Sequence, residues 1–249
     1  MLVQPLQGRW QWMQPLLDAL SARCRVITYT LAGDFGSDRP MDPALGFDVY
    51  IRQLEDVMNS AGVERAALCG ISFGGTVAVR YTALHPEQVT HLIIASSPGP
   101  GWRANAQQEM YVSRPLLTLP AFLLSALTRL HGEVAAALPR PGERAAFAAR
   151  TTVAMLRYPA RPPVMAARVR LMQTLDLAGD CARISAPTLV VTGHPSLDLV
   201  VPVDSTRQYL SHIRDSRYEM MENTGHTGSL TQPDRLATIV GTFVNAADS

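Results

Sequence analysis

Leu68-Cys69-Gly70-Ile71-Ser72-Phe73-Gly74-Gly75 is an apolar strand running into a G-x-S-x-G turn, and Thr76-Val77-Ala78-Val79 then opens a helix. A serine on so tight a strand-to-helix turn has its hydroxyl pushed out of the strand plane, with a helix N-terminus behind it. That is how a chain presents a nucleophile rather than a structural serine. Gly70 and Gly74 suit the reversal, because a β-carbon at either place would collide with neighbouring backbone. Composition alone produces such a pattern in on the order of one chain in ten of this length. Its position between a strand and a helix is what gives it weight.

Outward from this turn, short apolar runs alternate with helical patterns, as in the βαβ units of a parallel sheet. Strands are expected at 25–29, 66–69, 91–95, 188–192 and 217–221, with 1–3 the remnant of another. Phe47, Ile51, Leu54 and Met58 recur at helical spacing, as do Trp10, Met13, Leu17 and Leu20. A last helix is expected over 229–244, with Leu236, Ile239, Val240 and Phe243 inward. The stretch 102–180 breaks the rhythm: it has no convincing strand, is rich in Ala, Leu and Arg, and is interrupted by seven prolines. It reads as a helical lid inserted into a core made of 1–101 and 181–249. Ten arginines against three glutamates make 103–170 strongly basic.

The chain has 249 residues, 47% hydrophobic and 17% charged, with a net charge of +1. These values fit one α/β domain with a large core and give no global reason to expect nucleic acid or an acidic membrane surface as a partner. No apolar run reaches the ~20 residues that span a bilayer. All 22 basic residues are arginine, so catalytic-lysine and Schiff-base chemistry are excluded. Cys24, Cys69 and Cys181 lack metal-ligand spacing, no cofactor is implied, and a reduced, cytoplasmic setting is the expectation. Cys69 is expected to be plain core.

A serine hydroxyl needs a base to take its proton and an acid to hold that base in the right tautomer. Ala186-Pro187-Thr188-Leu189-Val190-Val191-Thr192-Gly193 reads as a buried strand whose following loop carries Asp198, and Asn223-Thr224-Gly225-His226 follows the next strand. Ser72, Asp198 and His226 stand in the order Ser…Asp…His. Asp204 and Asp180 are the rival acids and His194 the rival base. Asp204 is expected to cap the helix that follows it.

These motifs resemble the lid-bearing α/β-hydrolase superfamily of esterases, lactonases and carbon–carbon hydrolases. Residues 26–38, VITYTLAGDFGSD, are similar to the family's V-I-x-P-D-x-R-G-x-G-x-S, with Thr30 and Ala32 where the pattern has aspartate and arginine. The resemblance implies a mostly parallel, doubly wound α/β-hydrolase sheet with the inserted lid, lacking two N-terminal strands of the family. Residues 25–29 then become an exposed sheet edge, explained either by a start placed too far downstream or by a covering partner such as a second subunit. It also implies an oxyanion hole from the backbone N–H groups of Phe73 and Leu6, although Gln4-Pro5 stands where the family has His-Gly. Trp102, Tyr111, Phe122, Met155 and Tyr158 are candidate walls of an acyl pocket, and Arg103, Arg157 or Arg161 a candidate clamp for a substrate carboxylate. The expected activity is hydrolysis of an ester, lactone or thioester with an apolar acyl part. Carbon–carbon cleavage or lyase chemistry with the same triad, and a non-catalytic binding role, are the alternatives.

Overall fold

The computed structural model describes residues 1–246 and contains a five-stranded, wholly parallel sheet: β1 (Leu2–Val3), β2 (Ala66–Ile71), β3 (Val89–Ala95), β4 (Thr188–Gly193) and β5 (Ser216–Met221), in that spatial order. Alternate residues of each strand face opposite sides. Leu68, Leu92, Ile94 and Val190 pack on one face against α2 (Asp48–Ser60) and α3 (Phe73–Leu84). Cys69, Ile71, Ile93, Ala95, Leu189 and Val191 pack on the other against α1 (Gln14–Ser21) and α12 (Pro233–Asn245). Both faces are thus covered, which is why the strand sequences read as near-continuous apolar runs. Burial pushes the Cys69 thiol up to about 12, so this cysteine is a core residue without thiolate chemistry.

Two sequence expectations need correction. Residues 25–29 do not form a regular strand. They run beside β1 and make a single parallel bridge, Thr28 to Leu2. With β1 only two residues long, side chains complete the edge: the Thr28 hydroxyl donates to Leu2 O at 3.0 Å and the Gln4 amide donates to Thr28 Oγ1. The last helix is also not continuous. It divides into α11 (Gly228–Thr231) and α12, because Pro233 cannot donate a backbone hydrogen bond and starts a new helix at its first position. Leu236 and Val240 of α12 are buried, while Ile239 and Phe243 are half-buried against the same core.

Between β3 and β4 the chain is helical: α4 (Ala106–Ser113), α5 (Leu119–Ala137), α6 (Pro141–Arg157), α7 (Pro162–Met172) and α8 (Leu177–Ala182), while the short α9 (Val203–Arg207) and α10 (Tyr209–His212) lie between β4 and β5. These helices differ sharply in burial. Helix α7 buries Val164, Ala166, Arg168, Val169 and Met172, whereas α6 buries none of its residues. In α5, nineteen residues long and mostly apolar, the one buried residue is Glu133. Among the described residues no helix is long and apolar enough to cross a membrane.

β1 is held against the start of α3 by the absence of a side chain at Gly74. A β-carbon there would lie 2.3 Å from Val3 O and 2.7 Å from Gln4 O. Gly74→Ala is therefore expected to lower stability by at least ~3 kcal/mol in urea unfolding, through forced displacement of β1. By contrast Gly132 has nothing within 4 Å of its would-be β-carbon. Gly132→Ala in α5 should raise stability by ~0.5–1 kcal/mol through helix propensity alone.

Candidate active site

Ser72 lies between β2 and α3 with φ 53° and ψ −119°, a left-handed conformation that a non-glycine residue adopts at a cost. Its backbone is locked on both sides, since Ser72 N–H donates to Ala95 O (2.8 Å) and Gly75 N–H donates to Ser72 O (2.9 Å). The turn therefore holds the strained residue from the sheet and from the helix at once. The side chain sits at the start of α3, where Phe73 N–H and its neighbours form the free donor end of a twelve-residue helix.

Asp198 and His226 come from loops after β4 and β5 and meet each other. His226 Nδ1 is 3.3 Å from Asp198 Oδ2. The other carboxylate oxygen accepts from Val200 N–H (3.1 Å) and Val201 N–H (3.0 Å), which fixes the carboxylate before the histidine arrives. Burial alone would disfavour the imidazolium, but the charge and hydrogen bond of Asp198, and the charge of Glu133, outweigh it and raise the His226 pKa above its ordinary value. His226 lines a small cavity together with Ile71, Ser96 and Thr192, which places its loop at the same end of the sheet as the serine turn. The Ser72 hydroxyl makes no hydrogen bond to His226 in this structure. Nucleophile and base commonly sit looser in the unliganded state than in the reacting complex.

The rivals are disposed otherwise. His194 pairs with Ser196 Oγ through its own ring (2.8 Å). Asp180 is a fully buried partner of Arg80 and Arg183. Asp204 does not cap the helix Val203–Arg207: it is exposed in the first turn, 3.9 Å from Arg207. Pro202 holds the cap position there, leaving Asp204 two residues past it, inside the first turn.

The N-terminal loop takes its shape from a contact that sequence reading did not single out. Arg168 of α7 and Asp34 form an ion pair at 2.5 Å with both side chains fully buried. The same guanidinium donates to Leu6 O (2.8 Å), Ala32 O (2.9 Å) and the Tyr50 hydroxyl (3.2 Å). It also lies over the ring of Phe73, 5.9 Å from its centroid. Gly8, at φ 75°, makes room for the pair, because a β-carbon would stand 1.8 Å from Asp34 Oδ2. Leu6, the candidate oxyanion donor, is thus clamped through its carbonyl to a group packed on Phe73, the other candidate. Ala32 occupies the place of the family pattern's arginine, and a guanidinium from α7 reaches its carbonyl. The only trace in the sequence was Asp34 itself, sitting within an otherwise glycine-rich loop.

The five candidate pocket residues are dispersed. Trp102 packs against Val112, Ala166 and Val169, the same small cluster that Leu6 meets. Tyr111 and Phe122 stack edge-on with each other at 5.3 Å. Met155 is partly exposed on α6, and Tyr158 lies against the guanidinium groups of Arg9 and Arg157. Of the three clamp candidates, Arg103 donates to Trp102 O, Arg161 donates to Gly33 O and stacks on Phe35, and Arg157 stacks on Tyr158.

Comparison with known proteins agrees with this architecture. A family model described as alpha/beta hydrolase fold matches residues 6–233. The chain is 28% identical over 255 residues to a 2-hydroxymuconate semialdehyde hydrolase of Pseudomonas sp. (strain CF600), covering 97% of this chain and 83% of that one. It is 26% identical over 245 residues to 3-oxoadipate enol-lactonase 1 of Acinetobacter baylyi, covering 96% and 84%. Among solved structures, a bromoperoxidase from Bacillus anthracis superposes with a TM-score of 0.78 at 19% identity, covering 98% of this chain and 90% of that one. The enol-lactonase from Burkholderia xenovorans LB400 does so with a TM-score of 0.72 at 20% identity and the same coverages. At these identities the structural matches speak to the fold alone.

Leaving either member of the buried pair without the other strands a charge away from water. Arg168→Met is expected to cost ~3–5 kcal/mol in urea unfolding, and the double change Arg168→Met with Asp34→Leu to recover much of it. A double-variant loss equal to the sum of the Arg168→Met and Asp34→Leu losses would show that the pair carries no coupling.

Proposed function

Because this chain belongs to the α/β-hydrolase family, we propose that it is a serine hydrolase cleaving a carboxylic ester, lactone or thioester with a mainly apolar acyl part. The observation that carries this reading is the strained Ser72 turn at the same sheet end as the part-buried Asp198–His226 pair. Ser72 Oγ attacks the substrate carbonyl while His226 Nε2 takes its proton. Asp198 holds Nδ1 and stabilises the imidazolium that forms. The tetrahedral oxyanion accepts from Phe73 N–H and Leu6 N–H, then collapses to an acyl-serine as His226 returns the proton to the leaving oxygen or sulfur. Water, deprotonated by His226, repeats the sequence and frees the acid. Each oxyanion donor contributes roughly 3 kcal/mol in the transition state, so the anchoring of Leu6 O by Arg168 bears directly on rate. Trp102, packed on the same cluster as Leu6, is the pocket residue best set to touch an acyl chain.

A second reading uses the same Ser72, Asp198 and His226 for carbon–carbon hydrolysis. It is favoured by the similarity, over nearly the whole chain, to a 2-hydroxymuconate semialdehyde hydrolase. Parallel assays on p-nitrophenyl esters, an enol-lactone and a carbon–carbon hydrolase substrate separate the two.

Ser72→Ala should lower kcat on the best ester by at least ~10⁴, and a fluorophosphonate should label wild type at Ser72 only. Wild-type turnover in Ser72→Ala would sink the proposal. Since the base must be neutral and His226 is raised above its ordinary value, kcat/KM should rise through an acid limb lying above 6.5. A pH–rate profile with its limb below that value would place the base elsewhere.

A further inference from the structure

Glu133 is the feature that the proposed chemistry leaves unused. It is one of three acidic residues in the arginine-rich stretch 103–170 and the one buried residue of α5. Large apolar neighbours on that helix, Leu124 and Leu127 among them, are 66% and 70% exposed. A helix that keeps leucines in water while burying a carboxylate is docked by that carboxylate and not by apolar area. The partner is Thr227, the residue after His226. Thr227 N–H donates to both Glu133 oxygens (3.3 and 3.2 Å), and the Thr227 hydroxyl donates to Oε1 at 2.8 Å. Gly225, on the other side of His226, clears the way: a β-carbon there would lie 2.1 Å from Glu133 Oε2. The carboxylate therefore seats across Gly225-His226-Thr227.

We propose that Glu133 is a positioning residue for the base: a carboxylate carried by the inserted helix α5 that fixes the histidine loop through Thr227, so that His226 is fully set only while α5 is docked. The inference rests on His226 acting as the base. Three physical links support it. The bonds to Thr227 are charge-assisted, which makes them stronger than neutral ones and fixes the backbone next to the imidazole. Thr227 is also the residue from which α11 starts, and it accepts from the Thr231 hydroxyl, so the loop is held from both ends. The charged groups whose fields reach His226 are Asp198, Glu133 and, with opposite effect, Arg129 of α5; those reaching Glu133 are His226 and Asp198. Burial raises the Glu133 carboxyl, against the pull of the two Thr227 donors and of His226. Once ionised, Glu133 stabilises the imidazolium, and removing its charge must move the His226 titration to lower pH.

The test is Glu133→Gln, read by the pH dependence of kcat/KM on a p-nitrophenyl ester and by the His226 imidazole titration in NMR. The expected result is an acid limb and an NMR titration both shifted to lower pH, with kcat down roughly tenfold to a hundredfold and KM within about twofold, the range seen when an outer orienting partner is lost. In a second pair, Thr227→Val should lower kcat and Thr227→Ser should recover most of that loss; this pair decides the matter if Glu133→Gln fails to fold. An unshifted profile with wild-type kcat in Glu133→Gln, or equal rates in Thr227→Val and Thr227→Ser, overturns the proposal. Failure of the hydrolase reading is seen separately, as wild type without turnover on any substrate. The NMR titration still reports on Glu133 in that case.

Discussion

A guanidinium sealed away from water must find protein acceptors for its donors, and Arg168 finds them on three separate pieces of chain. Leu6 and Ala32 offer carbonyl oxygens, Tyr50 a hydroxyl and Asp34 a carboxylate, while the ring of Phe73 lies against its face. The partners are spread over the N-terminal loop, the loop at 30–34 and α2, so none of these can shift without leaving a buried charge short of a partner. The N-terminal loop, the loop at 30–34, α2 and α7 therefore adopt their relative positions together. The short β1 contributes little ladder of its own, and this polar clamp supplies the rigidity that two residues of strand cannot.

The helices between β3 and β4 thus reach the site through polar contacts. Arg168 of α7 holds the N-terminal loop at Leu6, and Glu133 of α5 holds the loop of His226 through Thr227. Apolar packing is unevenly shared: α7 is well buried, while α5 and α6 leave most of their surface in water. Hydrogen bonds and ion pairs are directional, so they set where a helix sits more sharply than apolar contact does.

Much of this was readable from residue order. The serine turn is visible because strand, glycine and helix signals are local and each has a steric cause. The strands β2 to β4 are visible because both faces of the sheet are covered there and the runs are largely apolar, while β5, at the sheet edge, shows the alternation of a half-exposed strand. Residues 25–29 carry the same apolar signal, yet they form only one bridge, because pairing depends on the length of the neighbour and β1 offers two residues. Pro233 was a legible break passed over in favour of the apolar period on either side of it. Asp204 had the right residue type for a cap, but Pro202 took the position.

By itself, the amino-acid sequence determined the fold class, the serine turn and the order in which an acid and a histidine follow it, since these depend on neighbours a few residues apart and on the period of burial. Tertiary structure alone decided which acid meets which base, how the N-terminal loop is held without the family's His-Gly, and that Glu133 comes to rest beside His226. Those outcomes join residues 28, 162 and 94 positions apart. The chemistry of an arginine or a glutamate states what partners it needs, but not where the chain will bring them.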